Sequence, residues 1–466
     1  MSDCLFKIFD FKADSMALLE LLREKPFAFF LDSSTLDKTL GRFSFIGFDP
    51  FEVFRHRGKQ SLSALKKRFL PYADKDAGFF VPEPTPFSHG IMGYLGYDLG
   101  LHWEEILFQA KDDLIVPECL FGFYDCVITL DHFRKKMIIS SSGLPEKTRA
   151  LREKRAQSRL KRILKILSNL RSLPSRSLCI PGKILGQDAV SADIKSNFTK
   201  DAYLKAIKKI LGYIRGGDVY QVNLSQRFEW PSPTSQDPLG LYRRLRRLSP
   251  SPFGGYLDCG GFQIISSSPE RFIKLENALL ETRPMKGTRP RGRTPLEDRK
   301  KRRELLKSPK EKAELLMITD LERNDLGRVC NYGSIRVKVL RTLENYETVF
   351  QTTSTIEGRL KKGQDGFDVL RACFPGGSVT GCPKIRAMEI IEDLEPAHRG
   401  IYTGSLGYMN FKGDMDFNIL IRTLLKYREK IYFQTGGGIV ADSIPEEEYE
   451  ETLVKAKALK MCLQGQ

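Results

Sequence analysis

The feature that most restricts the fold is a run of strand-like segments near the C-terminus. Residues 400–440 read GIYTGSLGYMNFKGDMDFNILIRTLLKYREKIYFQTGGGIV, in which apolar and β-branched runs are separated by short polar turns. Such turns connect neighbouring antiparallel strands, because parallel strands need a long crossover between them. Since several other segments have helical periodicity, the sequence predicts an α+β fold with antiparallel sheets covered by helices.

The order of the segments predicts two lobes and a linker. Residues 1–145 form an N-terminal lobe with one helix near 15–24 and β-like runs at 28–31, 43–48, 51–55 and 121–130. Residues 146–190 form a linker that begins as a basic amphipathic helix, whose apolar face comprises Leu160, Ile163, Leu164, Leu167 and Leu170. Residues 191–466 form the larger lobe, with helices expected at 238–248, 298–327, 365–373 and 383–394.

The 466-residue chain is basic, with a formal net charge of +17. This charge suits small anionic substrates or nucleic acid, and a basic RNA-binding protein is the alternative of a different class. The basic helix lacks interleaved aromatic residues, and no zinc-finger signature is present. The nine cysteines are scattered, the longest apolar runs fall far short of a membrane span, and residues 1–14 lack the basic and then apolar pattern of a signal peptide. We therefore expect a cytoplasmic protein with reduced thiols that binds neither nucleic acid nor a membrane.

Carboxylates in the last helical segment indicate a metal site. In IPEEEYEETLVKAKALKMC, the side chains of Glu448, Glu451 and Lys455 fall within one arc of a helix. Two partly buried carboxylates repel each other and need a cation, and oxygen ligands are those that Mg²⁺ prefers. Glu389 and Glu314 could complete such a site. The alternative is a solvated acidic helix start, which the helix dipole also favours.

Cationic and glycine-rich segments indicate an anion site. Arg422 is flanked by Ile and Leu, where an unpaired guanidinium would be costly, so it needs a carboxylate from the protein or a ligand. Gly436, Gly437 and Gly438 could turn backbone N–H groups toward an anion. Lys286 lies in a Pro-Met-Lys-Gly-Thr turn among arginines, which is also typical of a solvated basic loop. With Mg²⁺, these groups describe a site for a small dicarboxylate.

Seven ordered segments carry a family resemblance: RPMKGTRPRG, DLERNDLGRV, FPGGSVTGCPKIRAMEIIEDLE, HRGIYTGSLGY, IRT, GGGIVADS and EEEYEETLVKA. They resemble motifs of the chorismate-utilising enzymes, a family that includes anthranilate, aminodeoxychorismate, isochorismate and salicylate synthases. The resemblance extends from about residue 197 to the C-terminus and is weaker in the N-terminal lobe. It implies large antiparallel sheets packed as a sandwich, and a Mg²⁺-dependent replacement of the chorismate 4-hydroxyl or an addition at C2.

The resemblance also implies roles for individual residues. The implied metal-binding residues are Glu389, Glu451 and Glu448, with Glu314 in or near the metal shell. The implied catalytic residues are Lys286, Glu270, His398 and Glu314. The implied substrate-binding residues are Tyr402, Arg422, Thr380, Gly436, Gly437, Gly438 and Lys455.

Two positions distinguish branches of the family. Members that use water carry a base lysine where this chain has Gln221, so isochorismate chemistry is disfavoured. Anthranilate synthases carry alanine where this chain has Lys286, whereas aminodeoxychorismate synthase component I resembles this chain in having lysine. The resemblance thus implies that Lys286 attacks C2 and that ammonia then adds at C4, which yields 4-amino-4-deoxychorismate for p-aminobenzoate and folate synthesis. Arg283, Arg289 and Arg291, together with partial burial, are expected to lower the pKa of Lys286.

Other segments bear on the source of ammonia and on whether the protein binds tryptophan. Cys382 in TGCPK is not in a glycine-flanked nucleophile elbow, so we expect ammonia from a separate glutamine amidotransferase subunit. LDSS (31–34) and SPSPF (249–253) resemble only in part the motifs at which feedback-inhibited relatives bind tryptophan. Because RPRG after Lys286 is equally common in anthranilate synthases, anthranilate synthase component I of the tryptophan pathway is the alternative function.

Overall fold

The structure is a computed structural model that describes residues 5–11, 14–35, 40–73, 85–168, 194–232, 236–346 and 349–464. Within these ranges, two large antiparallel sheets pack face to face, and helices cover their outer faces. The predicted α+β class and the sandwich of sheets are therefore confirmed. Every helix in the described ranges is too short or too polar to cross a bilayer.

The helices in the described ranges are labelled in chain order. They are α1 (Ser15–Leu21), α2 (Ser61–Phe69), α3 (Leu99–Trp103), α4 (Arg149–Ser168), α5 (Lys200–Arg215), α6 (Pro238–Leu248), α7 (Pro295–Lys307), α8 (Pro309–Val329), α9 (Gly366–Cys373), α10 (Lys384–Leu394) and α11 (Pro445–Gln464). The single helix expected at 298–327 is wrong, because it is α7 and α8. The Ser308 side chain accepts a hydrogen bond from the Glu311 amide, and Pro309 starts α8, so a new helix begins there.

The strands are labelled in the same way. They are β1 (Leu5–Asp10), β2 (Phe29–Asp32), β3 (Phe43–Gly47), β4 (Glu52–His56), β5 (Gly90–Leu95), β6 (Cys119–Tyr124), β7 (Cys126–Asp131), β8 (Lys136–Ser141), β9 (Lys195–Ser196), β10 (Gln221–Pro231), β11 (Phe253–Asp258), β12 (Phe262–Ser268), β13 (Arg271–Glu276), β14 (Leu279–Thr282), β15 (Met285–Pro290), β16 (Arg336–Asn345), β17 (Val349–Arg359), β18 (Gly381–Cys382), β19 (Ser405–Asn410), β20 (Met415–Asn418), β21 (Thr423–Tyr427) and β22 (Lys430–Ile439).

Both sheets combine strands from the two ends of the chain. The twelve-stranded sheet has the order β1-β8-β7-β3-β2-β11-β12-β21-β22-β10-β18, with β9 beside β10. The ten-stranded sheet has the order β15-β17-β14-β13-β20-β19-β5-β6-β4, with β16 beside β17. The β2–β11 and β19–β5 pairs therefore join strands that precede residues 146–190 to strands that follow them.

Strand alternation builds three apolar layers. In β5, Met92 and Tyr94 point between the sheets, whereas Ile91 and Leu95 point toward the helices that cover the ten-stranded sheet. Successive side chains on a strand face opposite sides, so a strand buried on both faces is apolar throughout. The outer face of the twelve-stranded sheet packs on α1, α4, α6 and α11, and that of the ten-stranded sheet on α2, α3, α8 and α9.

The predicted basic helix is α4. Its Leu160 and Ile163 side chains are buried against the twelve-stranded sheet. Arg155 contacts buried Asp125 at 3.1 Å, so part of the basic face is neutralised by the protein. Leu170 and residues 169–193 of the linker lie outside the described residues.

Two crossovers between the sheets meet at one place. Residues 269–270 connect β12 to β13, and residues 419–422 connect β20 to β21. The Ile419 amide donates to the Glu270 carbonyl at 3.0 Å, and the Ser267 amide donates to the Arg422 carbonyl at 3.1 Å. Two candidate site residues, distant in sequence, are thereby held side by side.

Candidate active site

A cavity of about 340 Å³ opens beside these crossovers and is named here the Lys286 cavity. Strands β15 and β22 and helices α8 and α11 contribute to its wall. Its charged lining residues are Glu270, Lys286, Arg289, Lys310, Glu311, Glu314, Arg422, Glu448, Glu451 and Lys455. Four of them, Glu270, Lys286, Glu314 and Arg422, form no ion pair with any described residue.

Lys286 projects from β15 into the cavity. Its Nζ donates a hydrogen bond to the Ser378 carbonyl at 3.1 Å. Burial lowers the pKa of Lys286, and the charge of Lys455 lowers it further, while Glu314 opposes the change. A carbonyl acceptor can bind an N–H of the neutral amine and leave its lone pair free. The lowered pKa and the single carbonyl contact therefore favour the uncharged form of this amine.

The three arginines near Lys286 in the sequence were expected to lower its pKa, but each of them pairs with a carboxylate. Arg283 pairs with Glu344, Arg289 with Glu311 at 3.0 Å, and Arg291 with Asp298 at 2.8 Å. Because each of these charges faces a carboxylate, the lowered pKa of Lys286 comes chiefly from burial.

Glu270 lies in the first crossover with only 4% of its surface exposed. Its Oε1 accepts a hydrogen bond from the Met285 amide at 3.2 Å. Because Met285 immediately precedes Lys286, this bond holds the Glu270 carboxyl near the Lys286 backbone. Burial raises the pKa of Glu270 to about 7. The carboxyl can therefore hold or release a proton near neutral pH.

Arg422 lies in the second crossover, just before β21. Its φ of 51° is in the left-handed region, which non-glycine residues adopt at a cost of roughly 1–3 kcal/mol. Burial lowers its pKa, and its guanidinium has no ion-pair partner among the described residues. A carboxylate ligand would supply the missing partner.

Four glutamates from two helices face the cavity: Glu311 and Glu314 of α8, and Glu448 and Glu451 of α11. Burial raises the pKa of Glu314, whereas the charge of Lys455, 2.7 Å away, lowers that of Glu451. Glu311 was not among the residues predicted from the sequence. Its spacing of three residues from Glu314 was a usable signal, because residues three apart share a helix face.

The positions of the Glu448 and Glu451 carboxylates relative to Gly437 indicate whether they could bind a metal ion. A Cβ added at Gly437 would lie 3.4 Å from Glu448 Oε2, 3.6 Å from Glu451 Oε1 and 4.0 Å from Lys455 Nζ. Two carboxylate oxygens thus converge over a position without a side chain, and such donors fit Mg²⁺. The described residues contain no group of three or more His, Cys, Asp or Glu side chains already arranged around a metal position.

The three glycines lie within β22 and are paired with β10, so they do not form the expected anion nest. Gly436 and Gly438 line the cavity, as does Tyr402. The Gly436 carbonyl accepts a hydrogen bond from Lys455 Nζ at 2.9 Å. Because β21 pairs only with residues 430–433, the β22 edge beyond them is not covered by that strand.

Three predicted site residues lie elsewhere. Glu389 is half-buried on α10, 2.8 Å from Arg386, and does not line the Lys286 cavity, so its assignment as a metal ligand there is corrected. His398 lies beside Glu392 and Phe108 in a separate small cleft, away from Lys286. Thr380 lies behind the cavity wall, where its hydroxyl donates to the Gly376 carbonyl at 3.1 Å.

Polar atoms in the wall and just behind it have no partner among the described residues. Both amide atoms of Gln221 are of this kind, as are Asn223 Oδ1 and Gln434 Oε1. The Gln221 side chain packs against β22, since a Cβ on Gly438 would lie 2.7 Å from its Nε2. Buried polar atoms usually have hydrogen-bond partners, so these atoms favour a polar ligand.

A second cavity of about 330 Å³ lies between the sheets. Leu31, Asp32 and Ser33 of LDSS, and Pro252 and Phe253 of SPSPF, are among its lining residues. Its charged lining residues are Asp32, Arg42, Arg271, Lys274, Glu276 and Asp416.

Comparisons with known proteins identify the family. The signature of the chorismate binding enzymes matches residues 27–461. Over 462 residues, the chain is 37% identical to anthranilate synthase component 1 of Thermus thermophilus, covering 97% of this chain and 95% of that protein. It is also 37% identical over 440 residues to aminodeoxychorismate synthase component 1 of Bacillus subtilis, covering 91% and 90% respectively.

A solved structure agrees with this result. The crystal structure of anthranilate synthase component I from Streptococcus pneumoniae superposes with a TM-score of 0.75 and 32% identity, covering 91% of this chain and 93% of that chain. The chain therefore belongs to the chorismate binding enzyme family and is a chorismate-utilising enzyme.

Proposed function

We propose that this family member converts chorismate and ammonia into 4-amino-4-deoxychorismate, with Lys286 as the nucleophile. The observation that carries the proposal is an amine of lowered pKa, held by one carbonyl 3.1 Å away, in the same cavity as Glu270 and unpaired Arg422. An amine that attacks a carbon must be uncharged, and burial favours the uncharged form.

The cavity can bind the substrate through its two carboxylates. Arg422 offers a planar guanidinium for one of them, because bidentate pairing satisfies it. Lys455 and the open β22 edge at Gly436 and Gly438 offer a cation and backbone groups for the other. The ring then lies between Tyr402 and Lys286, with its reacting carbons near the amine.

The proposed reaction has two substitutions. The Lys286 amine forms a bond to C2, the ring double bonds shift, and the C4–O bond breaks. Protonated Glu270 donates to the departing hydroxyl, which leaves as water, and Glu270 then accepts the proton released by the new C2–N bond. Ammonia next bonds to C4 and the C2–N bond breaks. Glu270 relays the proton from the new amine to Lys286, which restores both groups.

We propose Mg²⁺ as the cofactor. Glu314, Glu448 and Glu451 would hold it, with Glu311 beside them. When bound, Mg²⁺ would offset the negative charge of the substrate carboxylates and of these glutamates. The convergence of Glu448 and Glu451 oxygens over Gly437 supports this assignment.

We also propose a glutamine amidotransferase subunit as the ammonia source. The relatives are named component 1, which supports an enzyme of several components. The isolated chain should turn over chorismate with ammonium salts but not with glutamine. Turnover with glutamine as the only nitrogen source would contradict this.

The alternative is the activity of an anthranilate synthase component 1, since relatives with either name are equally identical to the chain. Product identity separates the two. Purified protein is incubated with chorismate, ammonium chloride and Mg²⁺, and the product is identified by chromatography and mass spectrometry. We expect 4-amino-4-deoxychorismate, and anthranilate from the wild type would overturn the proposal.

Variants test the role of Lys286 in the same assay. Lys286→Ala should lower the rate of amination at C4 by roughly 10³-fold, equivalent to ~4 kcal/mol of barrier. Lys274→Ala is the matched control, because Lys274 is also a strand lysine but pairs with Glu276 outside the Lys286 cavity. Wild-type rates in Lys286→Ala would exclude a covalent route through this amine.

A further inference from the structure

A buried arginine that does not line the Lys286 cavity lies directly behind its wall. Arg399 has 3% of its surface exposed and forms a bidentate pair with Glu395. Its Nε donates to Glu395 Oε2 at 3.0 Å, and its Nη2 donates to Glu395 Oε1 at 2.7 Å. The pair is wholly internal, so it has no direct access to a ligand.

The same guanidinium contacts three separate segments of the wall. Nη2 donates to the Asn223 carbonyl of β10 at 2.6 Å, and Nη1 donates to the Val379 carbonyl at 2.9 Å. The ring of Tyr402 lies 5.7 Å from the guanidinium carbon, within the range of cation–π attraction. Asn223, Val379 and Tyr402 all line the cavity.

Glu395 extends this network to a fourth segment. Its Oε1 accepts hydrogen bonds from the Ser225 amide at 2.8 Å and the Ser225 hydroxyl at 2.7 Å. Gln434 of β22, which lines the cavity, donates to the same hydroxyl at 2.7 Å. One ion pair thus connects β10 and β22 to the loops that carry Val379 and Tyr402.

The link to Lys286 runs through adjacent residues. Val379 follows Ser378, whose carbonyl accepts the hydrogen bond of Lys286. A shift of Val379 therefore moves the acceptor that aims the amine, and displacements of about 1 Å can cost ~100-fold in rate. A lysine at position 399 could keep the charge but not the planar set of donors that meets three acceptor groups.

We propose that Arg399, held by Glu395, is a positioning residue that keeps the Asn223, Val379 and Tyr402 segments in register, and with them the Lys286 amine. The kinetic part of the test rests on the proposed function, whereas the geometry does not. Loss of Arg399 should therefore affect the chemical step more than substrate affinity, because Arg422 and Lys455 remain in place.

Arg399→Lys tests the proposal against a control, Arg42→Lys. Arg42 also pairs through two donors with a buried carboxylate, that of Asp131, at 3.1 and 2.7 Å, but it lines the second cavity and is not next to a candidate site residue in the chain. We expect Arg399→Lys to lower kcat by roughly tenfold or more with KM within about threefold, and Arg42→Lys to keep kcat. Equal kcat losses in both variants, in proportion to their Tm, would overturn the proposal.

A second measurement does not depend on turnover. The rate at which an amine-acylating reagent modifies Lys286, relative to exposed Lys7, is measured by peptide mass spectrometry in each variant. We expect at least about a threefold change in Arg399→Lys and none in Arg42→Lys. An unchanged ratio in Arg399→Lys would overturn the positioning role. A changed ratio in a protein that makes no 4-amino-4-deoxychorismate would uphold it and reject the proposed function.

If Arg399→Lys does not fold, Glu395→Gln replaces it. Arg399 keeps its carbonyl acceptors in that variant but loses the paired charge. We expect a smaller loss of kcat in the same direction, and wild-type kcat together with wild-type Lys286 labelling would contradict the proposal.

Discussion

The two cavities have nearly the same volume, about 340 and 330 Å³, but differ in how their charges are satisfied. In the second cavity, Arg42 pairs with Asp131 at 2.7 Å and Arg271 with Asp416 at 2.9 Å. In the Lys286 cavity, Arg422 has no ion pair with any described residue. Unpaired buried charge is costly, so its retention indicates a ligand of opposite charge. Pairing, and not volume, distinguishes the candidate active site.

The contrast between the cavities would fail if a carboxylate outside the Lys286 cavity affected turnover as much as one inside it. Glu451→Gln should lower turnover by roughly 10²-fold or more and weaken the response to added Mg²⁺, because an amide is a poorer ligand than a carboxylate. Glu389→Gln should leave both unchanged, since Glu389 pairs with Arg386 and does not line the Lys286 cavity.

Titration of activity with Mg²⁺ in the two variants checks this prediction. Full activity of Glu451→Gln in the presence of a chelator would remove the metal assignment. A loss of activity in Glu389→Gln but not in Glu451→Gln would support the role of Glu389 as a metal ligand that the motif resemblance implied.

Replacing one arginine in each cavity tests whether the unpaired arginine serves substrate binding and the paired one serves stability. Arg422→Met should lower kcat/KM by roughly 30-fold to several thousand-fold, the effect of about 2–5 kcal/mol for one partner of a charge pair with substrate. Without substrate, its stability should equal or exceed that of the wild type. Arg271→Met should destabilise the fold by about 3–5 kcal/mol, because Asp416 and Glu281 lose their partner.

Thermal melts without ligand and kinetics on the same preparations check both halves of this prediction. Destabilisation of Arg422→Met as large as that of Arg271→Met would mean that Arg422 has a structural partner, and the contrast between the cavities would fail.

The smallest expected effect concerns the pH dependence of stability. Burial raises the pKa of Glu270 from 4.5 to about 7, so folded protein holds this proton more tightly than unfolded protein. The stability that the proton contributes is complete below about pH 4.5 and is lost as pH rises through about 7. Glu270→Gln should therefore raise Tm relative to the wild type at pH 8 but not at pH 4.5.

Asp416→Asn is the control from the second cavity. It weakens the pairing of Arg271 and should lower Tm at pH 8. An equal change of Tm in Glu270→Gln at both pH values would show that Glu270 is not protonated in the folded protein near neutral pH.

Local patterns predicted the elements better than the sheets to which they belong. The helix expected at 238–248 is α6 with the same bounds, because its apolar spacing and its Asp237 cap are local signals. The continuous β-like run at 121–130 is two strands, β6 and β7, which lie in different sheets. Asp125 interrupts the run and pairs with Arg155 of α4, a partner that no local pattern indicates.

The candidate site was predictable where helical spacing carried the signal. Glu448, Glu451 and Lys455 share one arc of α11, and the structure brings all three to the cavity. Glu389 has the same residue type, but the orientation of α10 directs it to solvent beside Arg386. Which face of a helix meets the site depends on the packing of that helix, which its own periodicity does not specify.

Local sequence signals were sufficient to predict the α+β class, the antiparallel sheets, and the segments that hold Lys286, Arg422 and the last-helix glutamates. These follow from turn chemistry and periodicity, which act between near neighbours. Which charges are satisfied depends on the folded arrangement. Arg271 pairs with Asp416, which is 145 residues away in sequence, whereas Arg422 has no ion-pair partner among the described residues. Charge pairing depends on distances between segments remote in sequence, so two arginines that look alike in the sequence differ in role once the chain has folded.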